Sequence, residues 1–65
     1  MLVEFTLSIS GTRVYINSAN VNCVYGDKDS EAEAHIEMAG YSEDQALTVL
    51  STPAEVAAKL NGEAK

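Results

Sequence analysis

Hydrophobic and polar positions alternate from the start of the chain: Val3, Phe5, Leu7 and Ile9 are interleaved with Glu4, Thr6, Ser8 and Ser10. A period of two puts each set on its own face of a strand, so residues 3–9 predict a strand with one buried face. Ser10-Gly11 supplies a turn, and Thr12 to Asn17 carries β-branched and aromatic residues. An antiparallel hairpin follows. Asn17-Ser18-Ala19-Asn20 reads as a polar turn, and Val21 to Tyr25 as a short third strand ended by Gly26-Asp27.

The C-terminal third has a different period. Thr52-Pro53-Ala54-Glu55 combines an N-cap, a proline at the first helical position and a glutamate placed to complete a capping box. Val56 and Leu60, four apart, share one face, and Asn61-Gly62 is the matching stop. These signals predict a helix from about Pro53 to Asn61. Gln45 to Leu50 fits either a strand leading into that helix or a helical turn capped by Ser42.

Residues 30–39 carry two conflicting signals. Glu, Ala and Met favour a helix, and Ser30 with Glu33 spells a second capping box. Alternation says strand, with Ala32, Ala34, Ile36 and Met38 on one parity and Glu31, Glu33, His35 and Glu37 on the other. A helix would set Glu33 and Glu37 on one face, a repulsion of only a few tenths of a kcal/mol, which does not decide.

Taken with the other elements, the pattern predicts an α+β domain spanning residues 1–65: an antiparallel meander of four to five strands with one C-terminal helix. The expected core is Val3, Phe5, Leu7, Ile9, Val14, Ile16, Val21, Ile36, Leu47, Val49, Val56 and Leu60. That core is thin. Apolar residues make up 46% of 65, but nine of them are Ala. A chain this small usually needs a disulfide, a metal or self-association to supplement its core. Cys23 is alone, so no internal disulfide forms, and a single cysteine fits a reducing cytoplasm better than an oxidising compartment. Self-association is left as a route to further burial.

Charge changes the picture most. Between Asp27 and Asp44 stand seven acids, Asp27, Asp29, Glu31, Glu33, Glu37, Glu43 and Asp44, against Lys28 alone, which is the whole net charge of −6. Outside that stretch Glu4, Glu55 and Glu63 balance Arg13, Lys59 and Lys65. Segregated charge marks a surface that meets a partner, since solubility would be served as well by scattered acids. Four basic residues among ten acids cannot neutralise phosphates, so direct binding to nucleic acid or an anionic membrane is not expected. The N-terminal residues lack the basic flank and apolar run of a signal peptide, and no window approaches 18 apolar residues. A soluble cytoplasmic protein is the expectation.

The run Tyr15-Ile16-Asn17, then Val21 and Val24, a strand around His35-Ile36, and Leu47-Thr48-Val49 leading into Thr52-Pro53-Ala54-Glu55-Val56 and Leu60, resembles the small FlbD/SwrD-like proteins. That family is associated with flagellar function and has similar small chains in phage genomes. The resemblance implies a β-meander closed by a C-terminal helix, favours a strand at 30–39 and carries no enzymatic residues. The acidic stretch departs from that family's short hairpin.

Constellations for chemistry are weak. Asp27, Asp29, Glu31 and Glu33 alternate like the start of a calcium loop, but Ala32 stands where the turn glycine belongs and Met38 where the closing glutamate belongs. Cys23 and His35 lack a third orienting group for thiol catalysis. Cys23 in an apolar strand reads as a small buried hydrophobe, and His35 as an ordinary exposed strand residue. A zinc site needs more ligands than His35 with Glu33 and Glu37. No catalytic residue, metal or cofactor is expected.

As a strand, 30–39 would space its outward carboxylates about 6.6 Å apart, at a repulsion of about 0.6 kcal/mol per neighbouring pair in water. Such a ladder imitates a phosphate backbone. Small size, acidity and absence of chemistry resemble phage-encoded inhibitors of the DNA-mimic and anti-CRISPR kind. The candidate partner-binding residues are therefore Asp27, Asp29, Glu31, Glu33, Glu37, Tyr41, Glu43 and Asp44, with Tyr41 as interface anchor. The expected partner is a protein with a basic, nucleic-acid-binding surface; the alternative is an FlbD-like accessory protein that self-associates.

Overall fold

The computed structural model describes residues 1–62, apart from the side chain of Glu43. Strand β1 (Leu2–Thr6) runs antiparallel to β2 (Arg13–Asn17), with Val3 opposite Ile16 and Phe5 opposite Val14. Val3, Phe5 and Ile16 turn inward and are buried. The alternation at 3–9 was expected to carry Ile9 into the core, yet Ile9 is 98% exposed. The chain leaves the strand earlier. Leu7 N–H donates to Thr12 O at 2.8 Å and Gly11 N–H to Leu7 O at 3.0 Å. Gly11 adopts a φ of 72°, a conformation natural to glycine, which closes this loop with Ile9 on its outer side.

Asn17 then caps a 3-10 turn at Ser18–Asn20, its Oδ1 accepting from Ala19 N–H at 3.1 Å, and the chain enters β3 (Val21–Asp27). β3 forms an antiparallel hairpin with β4 (Ser30–Met38), which pairs on its other edge with β5 (Leu47–Val49). Residues 30–39 therefore follow their alternation and not their helix propensity. Ala34 and Ile36 are fully buried between the two neighbours. Burying an isoleucine side chain is worth about 1.5–3 kcal/mol, several times the propensity difference it opposes. The second capping box goes unused; Ser30 Oγ accepts instead from Ala32 N–H. Both readings of 45–50 hold in part, with a 3-10 turn at Glu43–Gln45 followed by the strand β5.

By pairing there are two sheets, β1-β2 and β3-β4-β5. They are stitched at one point, where Leu7 bridges Val49, Ser8 N–H donates to Thr48 O and Leu50 N–H donates to Thr6 O, each at 2.9 Å. Through this junction the strand order reads β2-β1-β5-β4-β3.

Helix α1 (Pro53–Leu60) closes the core from the inner side, contacting β3 and β4. Its capping box is formed: Glu55 N–H donates to Thr52 Oγ1 and Thr52 N–H to Glu55 Oε1. Val56 is fully buried, and Lys59 Nζ donates to Glu4 O at 2.6 Å while lying 4.8 Å from the centre of the Phe5 ring. Gly26 permits the close approach of the helix start, since a Cβ there would stand 3.3 Å from Pro53 Cγ. The buried cluster is Val3, Phe5, Ile16, Ala34, Ile36, Val49 and Val56, with Leu7, Val14, Val21, Leu47 and Leu60 packed half-buried around it. Ala34 was not among the expected core residues; its small size fits the close β4–β5 packing. The fold is α+β, five antiparallel strands and a C-terminal helix. No helix among the described residues is long and apolar enough to cross a membrane.

Candidate functional site on the outer sheet face

With Ala34 and Ile36 turned inward, Glu33, His35 and Glu37 stand on the outer face of β4. Their neighbours on β3 are set by register: Tyr25 lies opposite His35 and Cys23 opposite Glu37. A register shift between Val21 and Cys23 inserts Asn22 as a bulge. That extra residue turns Cys23 outward and leaves Val24 inward. Cys23 is accordingly exposed, where the apolar pattern of β3 predicted burial.

His35 is the centre of this face. Its Nε2 is 2.8 Å from Asp27 Oδ1 and its Nδ1 is 2.8 Å from Thr48 Oγ1. The Tyr25 ring packs on it at 5.2 Å between centroids. One polar band thus crosses β3, β4 and β5. The hydrogen bond from His35 holds the Asp27 carboxyl below its ordinary pKa, against partial desolvation; Asp29 N–H, donating to Asp27 Oδ2 at 3.1 Å, adds to the effect. With Asp27 ionised, His35 Nε2 carries a proton and donates it. In the neutral imidazole, Nδ1 then accepts the Thr48 hydroxyl hydrogen. His35 is therefore half-buried and doubly engaged, not the free surface residue expected from its parity.

The flanking acids behave differently from one another. Glu33 accepts a hydrogen bond from the Ser8 hydroxyl, reaching beyond β5 to the loop after β1. Glu37 lies beside Cys23; partial desolvation, then the Glu37 charge and a hydrogen bond to it, raise the thiol pKa above its ordinary value. A thiol held protonated is a poor nucleophile, and the histidine that would serve it is committed to Asp27 and Thr48. The Asp27, His35 and Thr48 chain has the order of an acid, a base and a hydroxyl, and what its geometry does directly is fix one imidazole orientation on an open sheet face.

The expected row of carboxylates is broken near its tip. A register shift between Gly26 and Asp27 places Ser30 opposite Asp27, so Glu31, Ala32 and Glu33 have no partner on β3. Regular spacing survives only from Glu33 past His35 to Glu37. Asp29 in the turn and Glu31 are exposed at the hairpin end. Asp27 and Glu33 are drawn to different partners, and no three His, Cys, Asp or Glu among the described residues are placed to hold a metal ion.

Tyr41 and Asp44 are not brought to this face. Both are exposed in the β4–β5 connection, at the opposite end of β4 from the hairpin turn. Tyr41, 60% exposed, lines a separate cleft of about 480 Å³ together with Leu2, Tyr15, Met38 and Leu47. The side chain of Glu43 lies outside the described residues. Thr48 and Ser8 are the members of the polar network that sequence reasoning missed. Thr48 sits between inward Leu47 and Val49, so its parity signalled an outward hydroxyl; its partner depended on the register of β5 against β4.

Comparison of the chain with protein-family models, curated proteins and solved structures finds no match.

Proposed function

We propose that this chain is a small non-enzymatic protein-binding module that presents the outer face and tip of the β3–β4 hairpin to a basic surface of a nucleic-acid-binding protein, acting as an inhibitor or adaptor of the DNA-mimic or anti-CRISPR kind. It would act in the cytoplasm, that of the host if the chain is phage-encoded. The observation that carries this reading is the placement of Asp27, Asp29, Glu31, Glu33 and Glu37 on one hairpin that holds no arginine and one lysine, Lys28, while α1 packs on the inner side of the same strands. Helix and core leave that face uncovered. The Asp27, His35 and Thr48 band stiffens it, and a preorganised charged surface loses less entropy on binding than a flexible one.

Binding of this kind is fast and falls steeply with salt, because both partners' charges are exposed. The test is titration against a panel of basic nucleic-acid-binding proteins from about 50 to about 500 mM salt. The reading expects one partner whose affinity falls across that range and falls again, by about tenfold, in the triple variant Asp29→Asn, Glu31→Gln, Glu37→Gln. A partner bound equally well by the triple variant sinks it. The FlbD/SwrD-like resemblance supports a second reading, an accessory protein that self-associates, and the uncharged cleft lined by Tyr41 favours it.

A further inference from the structure

We propose that two copies of this chain pair through the free edge of β2, with the uncharged cleft beside it as the contact surface. The proposal deepens the self-association reading and is independent of the acidic face.

The edge is defined by hydrogen-bond geometry. Ser18 N–H donates to Met1 O and Leu7 N–H to Thr12 O. In an antiparallel pair such bonded positions alternate, so Val3 with Ile16 and Phe5 with Val14 are the bonded pairs between them. The backbone N–H and C=O of Arg13 and Tyr15 then point away from β1, and no strand among the described residues pairs with β2 on that side. Arg13–Asn17 holds no proline, no lysine and no bulge, and its one charged side chain, Arg13, stands at the strand's first position.

The cleft follows this edge. Successive residues of β2, Val14, Tyr15, Ile16 and Asn17, line it irrespective of the face their side chains take, which places it along the strand's border. Leu2 and Tyr15, both among its lining residues, are 66% and 64% exposed. Every residue lining it is uncharged, in a chain of net charge −6. That decides the occupant. A basic partner is drawn to the hairpin acids and finds no charge here, whereas a second copy, itself strongly acidic, can approach closely only across a neutral surface.

The strand's own sequence fits a two-fold pairing. Antiparallel β2 strands centred on Tyr15 place Tyr15 opposite the partner's Tyr15 and Arg13 opposite the partner's Asn17, so the two arginines do not face each other. Arg13 already has Glu4 at 3.7 Å in its own chain. The thin core, seven buried side chains among the described residues, gives the association a thermodynamic role as well.

Sedimentation equilibrium of the full chain from micromolar to millimolar concentration is expected to approach about 13.8 kDa, twice the 6.9 kDa of one chain. Hydrogen exchange read in the same series should slow the Arg13 and Tyr15 amides by about tenfold as the dimer fills. Tyr15→Lys should raise the dimer Kd by about tenfold or more and leave the salt-dependent binding of basic proteins unchanged; the triple hairpin variant should do the reverse. A chain that stays at 6.9 kDa throughout overturns the proposal. So does a dimer in which the Arg13 and Tyr15 amides exchange as fast as in the monomer, a result that needs no variant to fold. Protection of those amides only on adding an unrelated extended peptide would assign the edge to a different occupant and overturn it equally.

Discussion

The β1–β2 arm and the β3-β4-β5 sheet are built from the same alternating pattern and end up with opposite surfaces. In the three-stranded sheet a central strand, β4, is paired on both edges, its inner Ala34 and Ile36 are fully buried, and its outer face is tied across strands by Asp27, His35 and Thr48. The arm has one strand pair, a β2 edge left unpaired among the described residues, and large exposed apolar side chains, Leu2 and Tyr15. Charge follows the same division: the hairpin carries the acids, and the cleft along β2 carries none. One alternating pattern thus yields two chemically distinct surfaces on a small sheet protein, one carrying a cluster of acids and one uncharged.

If the three-stranded sheet is the mechanical centre, truncating its middle should cost far more than truncating the arm. Ile36→Ala removes a fully buried side chain and is expected to destabilise by about 3 kcal/mol, whereas Val14→Ala, at a half-buried site on the open arm, should cost about 1 kcal/mol. Denaturant midpoints at matched protein concentration measure both. Equal losses would mean that the half-buried site on β2 is packed as tightly as the middle of β4 and that the contrast is superficial.

Legibility in the sequence divides along similar lines. Alternation at Val3 and Phe5 reads directly as burial, and the capping box at Thr52 and Glu55 reads directly as a helix start, because each depends on neighbours in the chain; at 30–39 the same alternation competed with helix propensity, and Ala34 went unread as core. Ile9 escaped because the loop closed by Gly11 ends the strand before it. Cys23 escaped because one bulged residue, Asn22, reverses strand parity, and bulges leave little mark on composition. His35 was visible as a residue but not as the centre of a network, since its partners are 8 and 13 positions away and meet it only through register. The acids themselves were legible; that Tyr41 belongs to the neutral cleft and not to the acidic face was not.

The polar band can be sharpened by acid. Asp27 has a folded-state pKa below its ordinary value because its ionised form accepts from His35 and from Asp29 N–H. On acidification the unfolded chain takes up this proton first. The stabilisation is therefore complete above the ordinary carboxylate value of about 4, and it is lost as pH falls through the lower folded value. Unfolding free energies of the chain and of Asp27→Asn, compared from about pH 6 down to about pH 2, should converge over that interval. A difference that stays constant through the acid range would show that Asp27 does not act through its charge.

The smallest expected effect tests the bulge. Asn22 turns Cys23 toward solvent, yet partial desolvation and Glu37 raise its thiol pKa, so accessibility and reactivity should part company. Alkylation by iodoacetamide near neutral pH should reach completion without denaturant, as it must for an exposed sulfur, but more slowly than alkylation of free cysteine, because only the thiolate reacts. Glu37→Gln removes the neighbouring charge and should speed the reaction severalfold without altering its completeness. Protection until unfolding would place Cys23 on the inner side and remove the bulge. A rate matching free cysteine and indifferent to Glu37→Gln would instead separate the thiol from the acidic face, leaving β3 to contribute Tyr25 and Asp27 alone to the surface around His35.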